Sequence, residues 1–229
     1  MISPNDTILI AGDSWACGEW TKEDDSFVVT HRGLEYFLIE YGCEVHNVGR
    51  GGASNKDAVG YLTESLETIK PDVILWFQTD PIRDLRPYPA DSFPRTVDEL
   101  YTIQEQLLNS IYAELNELGV VIHCIGGVFK LNEHLLANYD KLIPIIPNII
   151  ELFGVPAITC WISDWIQCDH LKLSYEFLRE LEQINPMYPN PTDRLCIYGL
   201  PEVWFFPDGQ HPNRAAHREI FEYILKHHK

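Results

Sequence analysis

Short apolar runs alternate along this chain with stretches of helical spacing, and that rhythm limits the fold more than any single residue does. Thr7–Gly12 (TILIAG) is a brief apolar run closed by glycine, as a buried parallel strand should be. Leu34–Gly42 follows with helical spacing and a glycine stop, then Cys43–Gly49 as a second strand. Ser54 opens the next helix with Asp57 three residues on, a capping-box pattern, and Ala58, Val59, Leu62, Leu66 and Ile69 fall on one face. Asp72–Gln78 is the most hydrophobic strand and reads as central. Thr96 with Glu99 starts a long helix that stops at Gly119, followed by a strand over Val120–Gly127 and a fifth expected over Pro156–Trp161. Pro212 stands where a first-turn helix proline belongs, ahead of Ala216, Ile220, Phe221, Ile224 and Leu225. Strand–helix alternation of this kind predicts an α/β domain, a central parallel sheet of about five strands with helices on both faces. One domain over residues 1–229 accommodates it.

Two segments break the rhythm. Asp80–Arg95 carries four prolines and follows a strand end. In open α/β sheets that is where the ligand crevice lies, so this excursion is a candidate pocket wall. Ile184–Leu195 is also proline-rich and reads as structural padding.

The charge balance narrows the partners. With 17 Lys and Arg against 34 Asp and Glu, the formal charge is −17. Phosphate binding needs concentrated basic side chains, so nucleic acid is not the expected partner. Uninterrupted apolar runs such as Val73–Phe77 are far too short for a spanning helix, and membrane insertion is not expected. The six cysteines, Cys17, Cys43, Cys124, Cys160, Cys168 and Cys196, lie far apart with no C-x-x-C pair and no zinc-like histidine spacing. The first residues also lack a basic region followed by a long apolar one, so a cytoplasmic setting is expected.

Three strand ends carry the chemistry: Gly12-Asp13-Ser14, Gly49 to Asn55, and Gln78-Thr79-Asp80. A parallel sheet brings all three to one edge. Near the C-terminus, Asp208 precedes His211 by three residues at a helix start. Acyl transfer needs such a set. A serine hydroxyl becomes a useful nucleophile when an imidazole takes its proton. A carboxylate then fixes the imidazole's tautomer, and amide donors hold the oxyanion. Ser14, His211 and Asp208 are the candidate triad; the N–H groups of Ser14 and Gly52 are candidate oxyanion donors.

On these residues the chain resembles the SGNH/GDSL hydrolases, serine esterases and lipases on a three-layer α/β/α flavodoxin-like fold. Ser14 in ILIAGDSW falls on the nucleophile block, Asn47 and Gly52 in NVGRGGASN on the second, and Asp208 and His211 in DGQHP on the C-terminal block. The third block departs: where the family has G-x-N-D this chain has Phe77-Gln78-Thr79-Asp80, with Thr79 at the asparagine position. The resemblance implies that Thr79 joins the oxyanion hole, with Gln78 or Asn55 compensating for its shorter reach. Asp13, Trp15, Asn55, Gln78 and Asp80 are the candidates for substrate contact, Asp13 chiefly as organiser of the turn. Trp20 and the other tryptophans read as packing, His123 as a core residue, and Arg83 and Arg86 as solvated loop charges.

The expected activity is hydrolysis of a carboxylic ester, a short acyl or O-acetyl group on a small molecule or glycan, with no metal or organic cofactor. Two alternatives stand beside it: a non-catalytic binding protein on the same fold, and an acyltransferase using the same triad.

Overall fold

Parallel pairing builds the centre of the molecule. In the computed structural model, which describes residues 2–23, 26–85, 95–127, 129–154, 204–205 and 211–227, five strands form one sheet: β1 (Thr7–Ala11), β4 (Glu44–Asn47), β5 (Val73–Gln78), β6 (Ile122–Gly126) and β7 (Leu142–Ile146). Their order is β4-β1-β5-β6-β7 and every neighbouring pair is parallel. Renumbered within the sheet this is 2-1-3-4-5, the flavodoxin-like order that the resemblance implies. β5 is buried at all six positions, which is why its sequence shows no polar alternation.

The helices follow from the crossovers. α2 (Leu34–Tyr41) carries the chain from β1 to β4, while α3 (Asn55–Leu66) and α4 (Val97–Glu117) carry it back through β5 to β6. Right-handed crossovers in opposite directions place α2 on one face and α3 and α4 on the other. Accordingly α3 packs on α4, and α2 packs on the C-terminal helix α7 (Arg214–His227). Three shorter helices also lie among the described residues: α1 (Ser14–Cys17), α5 (Glu133–Leu136) and α6 (Ile149–Leu152). Trp76, Phe77 and Tyr112 are the largest wholly buried side chains in the core between.

The expected helix starts are present. Ser54 and Asp57 form a reciprocal capping box on α3, and the Thr96 side chain accepts the Glu99 N–H on α4. The fifth strand of the described sheet is β7; the strand expected over Pro156–Trp161 lies outside the described residues, as does Ile184–Leu195. β7 contains Pro144, and a proline is tolerated there because, among the described residues, β7 has a neighbour on one side only. Pro212 is not the first helical residue. It pairs with Phe205 in an isolated bridge, and Asn213 Oδ1 accepts the Ala216 N–H at 3.0 Å as the true cap. Finally, an unexpected antiparallel hairpin, β2 (Glu19–Glu23) and β3 (Ser26–His31), follows α1 directly. No described helix is long and apolar enough to cross a membrane.

Candidate active site

The strand order reverses between β1 and β5, and the crevice beyond their carboxyl ends is where such sheets bind ligands. Gly12 makes the first turn there. Its φ is +150°, and a Cβ would lie 2.6 Å from Phe77 Cβ and 2.9 Å from the Phe77 carbonyl oxygen. Only glycine allows the two backbones this approach.

Asp13 then ties the crevice together. Its Oδ1 accepts the Trp15 N–H at 3.0 Å, capping α1. Its Oδ2 accepts the Thr79 hydroxyl at 2.5 Å and Arg83 Nη1 at 2.8 Å. Arg83 also reaches the Ala53 carbonyl at 3.4 Å. It is therefore a partly buried clamp between three segments rather than the solvated loop charge expected. Arg86 lies outside the described residues. Asp13 is 5% exposed, and its role is the organising one expected of it.

Ser14 begins α1, so its N–H belongs to the first helical turn, whose amides have no intrahelical acceptor. Its hydroxyl makes no hydrogen bond among the described residues. The second strand end clamps the same helix: Asn47 Nδ2 donates to the Ala16 carbonyl at 2.8 Å while its Oδ1 accepts the Gly49 N–H at 3.0 Å. Gly49 sits so close that a Cβ would lie 2.9 Å from Ala16 Cβ. Beyond it, the Arg50 N–H bonds the Gly12 carbonyl, and Arg50–Ala53 closes a β-turn with Gly52 third, at φ +75°.

Several candidates occupy positions other than those expected. Thr79 has a single hydroxyl hydrogen, and it is directed at Asp13. It is a strut between β1 and β5, not an oxyanion donor in this geometry. Asn55 is fully buried and reads the Thr79 backbone on both sides, accepting from its N–H at 2.9 Å and donating to its carbonyl at 3.2 Å. Gln78 faces away from Ser14. It accepts the Tyr112 hydroxyl at 2.5 Å and donates to the Lys130 carbonyl at 3.1 Å. Neither amide therefore compensates at the oxyanion. Asp80 turns the chain, its Oδ1 accepting the Ile82 N–H in the 3₁₀ turn Pro81–Leu85. Trp15 is 3% exposed and packs on Phe205 at 5.8 Å, in the core rather than facing the crevice.

The residue that sequence reasoning missed is Trp20, on β2. Its indole N–H donates to the Ser14 carbonyl at 2.8 Å. Its ring lies 5.6 Å from the His211 imidazole, centre to centre, and its far edge would meet a Cβ on Gly51 at 2.9 Å. One indole thus touches the nucleophile's helix, the glycine turn and His211. Phe27 of β3 approaches the same imidazole at 6.4 Å. The signal was present as the i, i+2 spacing of Trp20 and Lys22, then of Phe27 and Val29, on either side of Asp24-Asp25 in the sequence. Asp208 lies outside the described residues.

Two titrating groups bear on this chemistry. Burial pushes the Cys17 thiol up to about 12, helped by Asp13, so it stays protonated and is no rival nucleophile to Ser14. His217 is completely buried on α7, and burial lowers it to about 4, with His31 and His211 acting in the same direction. At neutral pH it is uncharged and places no second positive charge near His211.

Fold and crevice define a class: flavodoxin-like α/β proteins with a serine on the first turn of the switch point and a histidine from the C-terminal helix start. No protein-family model matches the chain, and no curated protein matches it in sequence. Among solved structures it is similar to an acetylxylan esterase from Geobacillus stearothermophilus, with TM-score 0.46 and 16% identity over 99% of this chain and 95% of that one. It is similar also to the esterase EstA from a Pseudoalteromonas species, with TM-score 0.47 and 13% identity over 97% and 96%. A G-D-S-L family protein from Desulfitobacterium hafniense gives TM-score 0.49 and 10% identity over 97% and 99%.

Proposed function

We propose that the chain is a serine hydrolase that cleaves a carboxylic ester through an acyl-enzyme. The observation that carries this is the placement of Ser14. It stands at the switch point, on a helix held from three sides by Asp13, Asn47 and Trp20, with His211 across the same indole. Ser14 Oγ attacks the ester carbonyl as His211 takes its proton. The tetrahedral oxyanion is held by the Ser14 N–H and the Gly52 N–H. His211 then protonates the leaving alcohol, and water repeats the sequence in reverse. Asp208 orients His211 in this scheme. The serine–imidazole contact closes when substrate binds, as catalytic hydrogen bonds often do.

An oxyanion hole of two backbone donors, without a side-chain third, suits an activated or small acyl ester. An O-acetyl group on a carbohydrate is the preferred substrate class. Turnover of p-nitrophenyl acetate, butyrate and octanoate tests the reading. Activity should fall to background in Ser14→Ala and His211→Ala with unchanged circular dichroism, and acetate should be the best of the three. Equal rates in wild type and both variants would overturn it.

A further inference from the structure

A cavity outside this crevice is lined by α4 and the chain that follows β6. It has a volume of about 400 Å³ and lies between the first half of α4 and the loop from β6 into α5, inside the ~300–1,000 Å³ range of small-molecule sites. Tyr101, Gln104, Glu105 and Leu108 line it from the helix; at i, i+3, i+4 and i+7 they share one face. Phe129 and Glu133 line it from the loop.

Gln104 is the telling residue. It is 3% exposed, and its carboxamide nitrogen is buried with no hydrogen-bond partner among the described residues. A buried donor without an acceptor is costly and rare, so this one points to an acceptor supplied by a ligand. The two carboxylates beside it ask for the opposite, a donor. Lys130, the cation in the lining, is already held by Glu151 at 3.0 Å, which disfavours an anion. A cation carries no lone pair for Gln104. Hydroxyl groups satisfy both demands, since each donates and accepts. Tyr101, 40% exposed at the mouth, adds an aromatic face.

We propose that this cavity is a saccharide subsite that takes a neutral sugar ring. As the seat of an ester substrate's glycan portion it rests on the hydrolase reading; as a binding site it does not. The loop runs to it directly from the crevice. Gly127 bonds the Gln78 carbonyl at 3.2 Å, and a Cβ on it would lie 3.8 Å from the Trp15 ring, next to Ser14. Gln78, held by Tyr112, fastens the Lys130 carbonyl, and the Tyr112 hydroxyl accepts the Asn132 N–H at 3.3 Å. The loop wall is thereby fixed before any ligand arrives, which reduces the ordering cost of binding.

Calorimetric titration with cellotetraose, xylotetraose, mannotetraose and chitotetraose tests this on the full chain. At least one should bind wild type and Ser14→Ala equally, and Gln104→Leu and Tyr101→Ala should each weaken it by about tenfold. Tyr101 is at the surface, so its variant tests the site even if Gln104→Leu fails to fold. Absence of binding by all four sugars, or binding unchanged in the folded variants, overturns the subsite. Absence of p-nitrophenyl acetate turnover by the wild type, with sugar binding intact, would overturn the hydrolase reading alone.

Discussion

Asp13 accepts from Trp15 in its own turn and from Thr79 and Arg83 far along the chain, and this sets the geometry on which Ser14 depends. The motif made Asp13 legible as a turn residue. Its partners were not, because Thr79 lies 66 positions away and nothing local in Phe77-Gln78-Thr79-Asp80 says where a hydroxyl will point. The role of Thr79 has a direct test. Thr79→Val removes one buried hydrogen bond to a carboxylate, so urea unfolding should show a loss of roughly 1–3 kcal/mol. The kcat for p-nitrophenyl acetate should fall by much less than the ~10²–10³ typical of a lost oxyanion donor. A hundredfold fall at unchanged stability would return Thr79 to the oxyanion hole.

At the scale of elements, the starts of α3 and α4 were readable, that of α7 was placed too early, and strand partners were not readable. Capping boxes are written within four residues, as Ser54 with Asp57 shows. β7 was missed because Pro144 masks a strand whose place depends on pairing with β6, and the β2–β3 hairpin because its alternation is short. That hairpin matters beyond its size. It carries Trp20 to the Ser14 carbonyl and against His211. Trp20→Phe keeps a ring beside the imidazole and loses the N–H; Trp20→Ala loses both. The expected order of kcat is wild type above Phe above Ala, with Ala down by about tenfold to hundredfold. KM and thermal midpoint should change little, since the indole is only half-buried. A change confined to the thermal midpoint would make Trp20 a packing residue only.

For the whole molecule, apolar periodicity carried the layer architecture, and crossover handedness then sets which face of the sheet each helix covers. The GDS and D-x-x-H patterns marked Ser14 and His211, the two triad candidates among the described residues, at opposite ends of the chain. What the fold adds is the reason both border one crevice: β1 is an interior strand, α7 packs on α2, and Arg214 at the start of α7 bonds Glu19 of the hairpin that carries Trp20. The most direct measurement is intact-mass analysis after treatment with diisopropyl fluorophosphate. The account predicts one phosphoryl adduct per chain, mapped to Ser14, absent in Ser14→Ala and formed far more slowly in His211→Ala. No adduct on wild type, or an adduct that persists in Ser14→Ala, would contradict it.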